Sequence, residues 1–147
     1  MKKAIALLLA LVMVFALCAC GGGDKGTADN GEKVVKIGVF EPASGDSGAG
    51  GKKEMLGMQY ANQETPTVEI GGETYKVELV YSDNGSDSAK AVSAASKLVN
   101  EKVSLVLGSY GSGVSIAASD TFKQAGIPAI GVTCTNPNVT AGNSHYF

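Results

Sequence analysis

From residue 34 onward, short and nearly continuous apolar runs alternate with longer stretches whose apolar positions recur at helical spacing. The first run, Val34-Val35-Lys36-Ile37-Gly38-Val39-Phe40, predicts a strand buried on both faces of a parallel sheet. A glycine- and serine-rich loop from Ala43 to Gly51 leads into a predicted helix over Lys52 to Gln63. Thr67–Ile70 and Thr74–Tyr81 flank Gly71-Gly72 and read as a hairpin. Asp87 is placed to cap the next helix, whose apolar stripe is Ala91, Val92, Ala95, Leu98 and Val99. Val103–Leu107 is a second buried-type strand. After Gly108–Gly113 a helix is expected from Val114 to Gln124, with Gly126 suited to its C-terminal cap. Ile127–Val132 closes the pattern as a strand that tolerates Pro128 near its start.

Strands alternating with helices predict an α/β fold: a mostly parallel sheet with helices on its faces. Right-handed crossovers bring the strand-to-helix loops to one edge, and ligands of such folds bind outside the carboxyl ends of the strands. Three segments fall there: Glu41–Gly51, Gly108–Gly113 and Thr133–Pro137.

The first 33 residues follow a different pattern. Met1-Lys2-Lys3 is cationic, and Ala4 to Leu17 is an unbroken apolar run, too short for a permanent membrane span but suited to a signal peptide. It ends in Leu17-Cys18-Ala19-Cys20, an apolar residue and two small ones before a cysteine, which is the pattern of a lipoprotein signal. Residues 1–19 are therefore expected to be a signal peptide, and Cys20 to carry lipid that ties the protein to a membrane. Residues 20–33 (CGGGDKGTADNGEK) are small and polar, and read as a flexible tether. With Cys18 and Cys20 so used, Cys134 stands alone and no disulfide framework remains.

The loops carry the candidate chemistry. Gly108-Ser109-Tyr110-Gly111-Ser112-Gly113 opens a helix directly after a strand, and the free N–H groups of a helix start favour an anionic group such as a carboxylate. Ser112 can add a hydroxyl hydrogen bond to the same group, or simply cap the helix. Thr133-Cys134-Thr135 offers hydroxyls and backbone groups, whereas Asn136-Pro137 signals a turn. Catalysis by Cys134 is not expected: the single histidine, His145, lies near the end of the chain and nothing ties it to the thiol. Gly45–Lys53 fails as a phosphate loop, because Asp46 and Lys53 occupy the glycine and Ser/Thr places. Gly108–Gly113 has the glycine order G-x-x-G-x-G, not that of a dinucleotide loop. No cofactor, metal cluster or enzyme activity is expected.

Charge narrows the partners further. The net charge of −2 becomes about −4 once Lys2 and Lys3 leave with the leader, and no run of like charge exists, so nucleic acid is excluded. All twelve basic residues are lysine, and without arginine no bidentate clamp on a carboxylate or phosphate can form.

Taken in order, Lys36-Ile-Gly-Val, Ser44-Gly45, Val77-Glu-Leu-Val, Asp87-Ser-Ala-Lys-Ala-Val, Ala95-Ser-Lys-Leu-Val-Asn, Val106-Leu-Gly-Ser, Gly126-Ile-Pro-Ala-Ile and Thr135-Asn-Pro resemble one family. It is that of the substrate-binding proteins of branched-chain amino acid, or amide, ABC transporters, within the type I periplasmic-binding-protein superfamily. The resemblance implies a Rossmann-like three-layer αβα lobe over 34–147, incomplete and with the second lobe absent. It also implies an extracytoplasmic lipoprotein that captures an amino acid or similar small polar solute between two lobes and hands it to the permease subunits of an importer. Ser112 and Gly113, with Thr133, Cys134 and Thr135, match the places that hold the ligand's carboxylate and amino groups in relatives. Gly50 stands where relatives often carry an aromatic over the ligand. The same fold also serves sensory modules of signalling receptors, which the sequence following residue 147 would distinguish.

Overall fold

A computed structural model describes residues 32–147. The signal peptide, Cys18, Cys20 and all of the tether except Glu32 and Lys33 lie outside the described residues. The elements run β1 (Val34–Val39), α1 (Gly48–Glu64), β2 (Thr67–Ile70), β3 (Glu73–Tyr81), α2 (Ser88–Asn100), β4 (Leu105–Leu107), α3 (Ser112–Gln124) and β5 (Ala129–Ile130), followed by a 3-10 turn over Pro137–Val139. The strands form one sheet in the order β2-β3-β1-β4-β5. β1 pairs parallel with β3 and β4, and β4 with β5, while β2 is the antiparallel edge supplied by the hairpin. The expected mostly parallel sheet is present.

The two faces of the sheet are filled differently. Side chains alternate along β1, so Gly38 and Phe40 face α2 and α3, where the core lies. Ala91, Ala94, Ala95 and Leu98 of α2 and Val114, Ala118 and Phe122 of α3 pack there with Phe40 and Val106. Phe122 meets Phe40 edge-on, centroids 5.5 Å apart at 85°. On the opposite face α1 buries only Gly48 and Gly51. A cavity of about 780 Å³ separates it from Val35, Ile37, Val77, Leu79, Leu105 and Leu107. Burial of β1 on both faces therefore holds for its last residues only.

Element ends depart from expectation for identifiable reasons. α1 begins at Gly48, not Lys52, because its first turn lies against the preceding loop, where a Cβ on Gly51 would come within 2.3 Å of the Pro42 carbonyl. Glycines that read as loop punctuation are there to permit this approach. The Val103 N–H closes the end of α2 on the Leu98 carbonyl at 3.4 Å, so β4 starts only at Leu105. The Ile127 N–H likewise bonds the Phe122 carbonyl, which leaves β5 two residues long. Tyr146 and its neighbours then line β5: Ala129 N–H bonds His145 O at 2.7 Å and Gly131 N–H bonds Phe147 O at 2.8 Å. The Asp87 carboxylate caps α2, accepting the Ala89 N–H at 2.8 Å as expected. Gly126 has the left-handed φ of +69° that a helix C-terminus favours. Val92, assigned to the buried stripe, is 50% exposed, whereas Ala94 is buried in its stead.

Phe122 is fully buried and Val92 half-open, which sets an energetic contrast. Phe122→Ala is expected to cost about 3–5 kcal/mol in urea denaturation, and Val92→Ala within about 0.5 kcal/mol of zero.

Candidate functional site

The carboxyl ends of β1, β3, β4 and β5 meet at one edge of the sheet, and what fixes their loops is a set of buried polar side chains. Ser109, Ser115 and Asn84 are fully buried, and Glu41 nearly so. The Ser109 N–H donates to Ser115 Oγ at 3.1 Å, and the Cys134 thiol donates to the Ser109 carbonyl at 3.3 Å. Because that contact uses the one thiol proton, Ser115 is the donor in its 3.2 Å contact with Cys134 Sγ. The result is a closed ring, Ser109 N–H to Ser115 to Cys134 to Ser109 O, joining the loop after β4, helix α3 and the loop after β5. Asn84 Nδ2 reaches Ser109 Oγ at 3.0 Å and the Phe40 carbonyl at 3.2 Å, which adds the loops after β1 and β3. The Tyr146 hydroxyl closes the underside by donating to the Gly108 carbonyl.

Gly108 can be nothing larger: φ is +119°, and a Cβ would stand 2.3 Å from the Phe40 carbonyl oxygen. On the outer side Asp83 staples the first loop to the loop after β3. Its carboxylate accepts the N–H groups of Ala43 and Gly85 at 2.8 Å each and the Ser44 hydroxyl at 2.7 Å. Sequence reading passed over Asn84, Ser109, Ser115 and Glu41. Isolated polar residues at loop starts carry no periodic signal, and Asn84-Gly85 reads as an ordinary turn.

The sequence-derived candidates separate into groups that face outward and groups that do not. Ser112 is the first residue of α3, and the N-cap is Gly111, without any side-chain cap. Ser112 therefore does not cap its helix. Its Oγ instead accepts the backbone N–H of Thr135 at 3.1 Å and of Asn136 at 3.3 Å, so the hydroxyl proton is left to donate elsewhere. Gly111 O takes the N–H groups of Val114 and Ser115, and those of Ser112 and Gly113 have no acceptor among the described residues. Thr133 and Thr135 are exposed, with Thr133 Oγ1 donating to the Tyr110 carbonyl at 3.4 Å. Cys134 turns its thiol inward to the ring, with no histidine among its partners. Asn136 caps the 3-10 turn at the Asn138 N–H, 2.9 Å away, the turn chemistry expected of Asn-Pro. Gly50 lies in the first turn of α1 rather than in a loop, and a Cβ on it would come 2.5 Å from the Tyr110 ring.

The two acids nearest the edge behave oppositely. Burial, then the adjacent Glu54 carboxyl, pushes Glu41 up to about 9, against the opposing hydrogen bond from the Tyr110 N–H at 2.8 Å. Glu54 raises Glu41 first through a side-chain hydrogen bond, which only a protonated carboxyl can donate, and then through its charge. Burial raises Asp83 as well, but the hydrogen bonds from Ser44, Gly85 and Ala43 outweigh it and hold the carboxyl below its ordinary value. Among the described residues no group of three or more His, Cys, Asp or Glu could hold a metal ion.

A raised acid pKa means the folded state keeps a proton that the unfolded state releases. The Glu41 contribution is thus present below its ordinary value near 4.5 and is lost as pH rises toward 9. Chemical denaturation across this range is expected to show stability falling with pH, and Glu41→Gln, which keeps an acceptor for Tyr110 without the ionisation, is expected to flatten the profile.

With this geometry in view, comparison with known proteins gives a consistent result. The family model described as periplasmic binding protein matches residues 34–147. A Leu/Ile/Val-binding protein homolog of Brucella abortus is 34% identical over 88% of this chain and 33% of its own length. The leucine binding protein of Thermotoga maritima superposes with a TM-score of 0.71 at 35% identity, covering 77% of this chain and 31% of that one. The branched-chain amino acid transporter substrate binding protein of Streptococcus pneumoniae, solved in complex with isoleucine, gives 0.69 at 34% identity over 78% and 33%. The chain thus spans about a third of the length of these relatives, and its fold matches the first lobe of theirs. Matched by that family model over the whole of residues 34–147, the chain belongs to the periplasmic binding protein family.

Proposed function

We propose that this chain captures an amino acid of the branched-chain type, or a similar small polar solute, outside the cytoplasm, for delivery to the permease of an ABC importer. The observation that carries the reading is Ser112. Its Oγ is held by two backbone N–H groups of the Thr135 loop, while its own proton and the N–H groups of Ser112 and Gly113 stay available at a helix start. Such a start stabilises a carboxylate through both hydrogen bonds and the helix dipole. Thr133 and Thr135 would line the adjoining side. The relatives' names as binding proteins, one of them with isoleucine bound, support the ligand class. They also support a binding role in preference to an enzymatic one.

The relatives are about three times as long, so the proposal is made for the intact protein, whose two lobes would close on the ligand. Anchoring through lipid on Cys20 completes it, because a capture protein held at the membrane surface stays within reach of its permease. Cys20→Ala should abolish both the acyl mass and recovery with the membrane fraction, measured by mass spectrometry and fractionation.

Calorimetric titration of the intact protein with leucine, isoleucine and valine is expected to give saturable binding. Ser112→Ala and Thr135→Ala should each weaken it by about 1–3 kcal/mol, the cost of under-bonding a charged partner. Absence of binding across all the amino acids would contradict the proposal.

A further inference from the structure

At the carboxyl edge Tyr81, Val132 and Phe147 stand exposed at or just past the ends of β3 and β5, whereas Tyr110, 43% exposed, is the aromatic of the loop that opens α3, among serines and glycines. An exposed ring inside a polar loop beside a helix start is the informative case, since isolated exposed apolar side chains at strand ends are ordinary. The residue is also held more firmly than exposure alone suggests. Its N–H donates to the buried Glu41 carboxyl at 2.8 Å, and its carbonyl accepts from Thr133 Oγ1 at 3.4 Å. Its ring lies against Gly50, where a Cβ would come within 2.5 Å of Cε2 and 2.6 Å of Cζ. Glycine at 50 therefore makes the seat, in a helix turn whose backbone needs no glycine for its dihedral angles. The ring packs on the first turn of α1, and Tyr110 precedes Ser112, the first residue of α3, by two positions in the same loop.

We infer that Tyr110 determines ligand specificity: its ring, seated on Gly50, is the apolar wall against which the aliphatic side chain of the ligand packs. This rests on the reading of the chain as part of an amino-acid-binding protein. The polar end of the ligand meets Ser112 and the helix start, and the ring meets the side chain. A wall of this kind acts on large aliphatic ligands and hardly at all on a ligand with a single methyl group.

The test is calorimetric titration of the intact protein with leucine and, separately, with alanine. Tyr110→Ala is expected to weaken leucine by about tenfold or more and alanine by less than about threefold, so that the preference for leucine collapses. Tyr110→Phe keeps the wall and should bind leucine within about threefold of wild type. Gly50→Ala, which displaces the ring, should weaken leucine similarly while the melting temperature stays level or rises, because alanine is the better helix former. The double substitution should be no weaker than Tyr110→Ala alone, as expected for residues acting as one unit. An unchanged leucine-to-alanine ratio in both Tyr110→Ala and Gly50→Ala overturns the inference and leaves the proposed function standing. Wild-type protein that binds no amino acid overturns the proposed function, and this inference with it.

Discussion

The closed hydrogen-bond ring around Ser109 is the constraint on which the carboxyl edge depends. The loop after β4 starts in the interior at Gly108 and Ser109, where water cannot satisfy its backbone, and a buried polar group left unpaired costs about 1–3 kcal/mol. Ser115 and Cys134 satisfy Ser109 on both sides of its peptide units, and Asn84 and Tyr146 satisfy the flanks. These side chains come from the loop after β3, helix α3, the loop after β5 and the end of the described chain. Removing one leaves the others under-bonded, so the loops are set as a group. That is how a rim of short, glycine-rich connections can present Ser112 and Tyr110 in one arrangement.

The two faces of the sheet show what this rigidity is built on. The face under α2 and α3 is closely packed, with Phe40, Leu98, Val106 and Phe122 fully buried, and the ring lies at its upper end. The face under α1 is open, and α1 is tied down chiefly at its first turn, where glycines allow backbone to approach Pro42. The contact that matters to the site, Tyr110 on Gly50, is made in that same first turn. Glu41 stands between the two regions, buried and largely uncharged, with the Tyr110 backbone on one oxygen. Its neutrality follows from its surroundings: a charged carboxylate there would lie next to a second acid in an apolar setting.

Much of this was legible in the sequence. The alternation of apolar runs and helical stripes fixes the mostly parallel sheet, Asp87 marks the start of α2, and Gly71-Gly72 marks the hairpin, because each signal is local and periodic. The start of α1 was not legible, since glycines that permit close packing look the same as glycines that mark a loop. Ser112 reads as a loop residue before a helix starting at Val114, whereas it is the first residue of that helix, and its partners belong to a loop more than twenty residues away that no local rule connects to it. The ring around Ser109 and the seat of Tyr110 on Gly50 were invisible for the same reason: they are pairings across loops, decided by topology. Gly50 read as a missing aromatic, and the structure fills the space above it from a different loop.

The central claim is that the solute is captured at this edge, between the start of α3 and the Thr135 loop. A crystal structure of the intact protein with leucine tests it most directly. The account predicts the ligand carboxylate within about 3.2 Å of Ser112 Oγ and the side chain against the Tyr110 ring. Leucine bound instead in the apolar space beneath α1, or away from both residues, would contradict it.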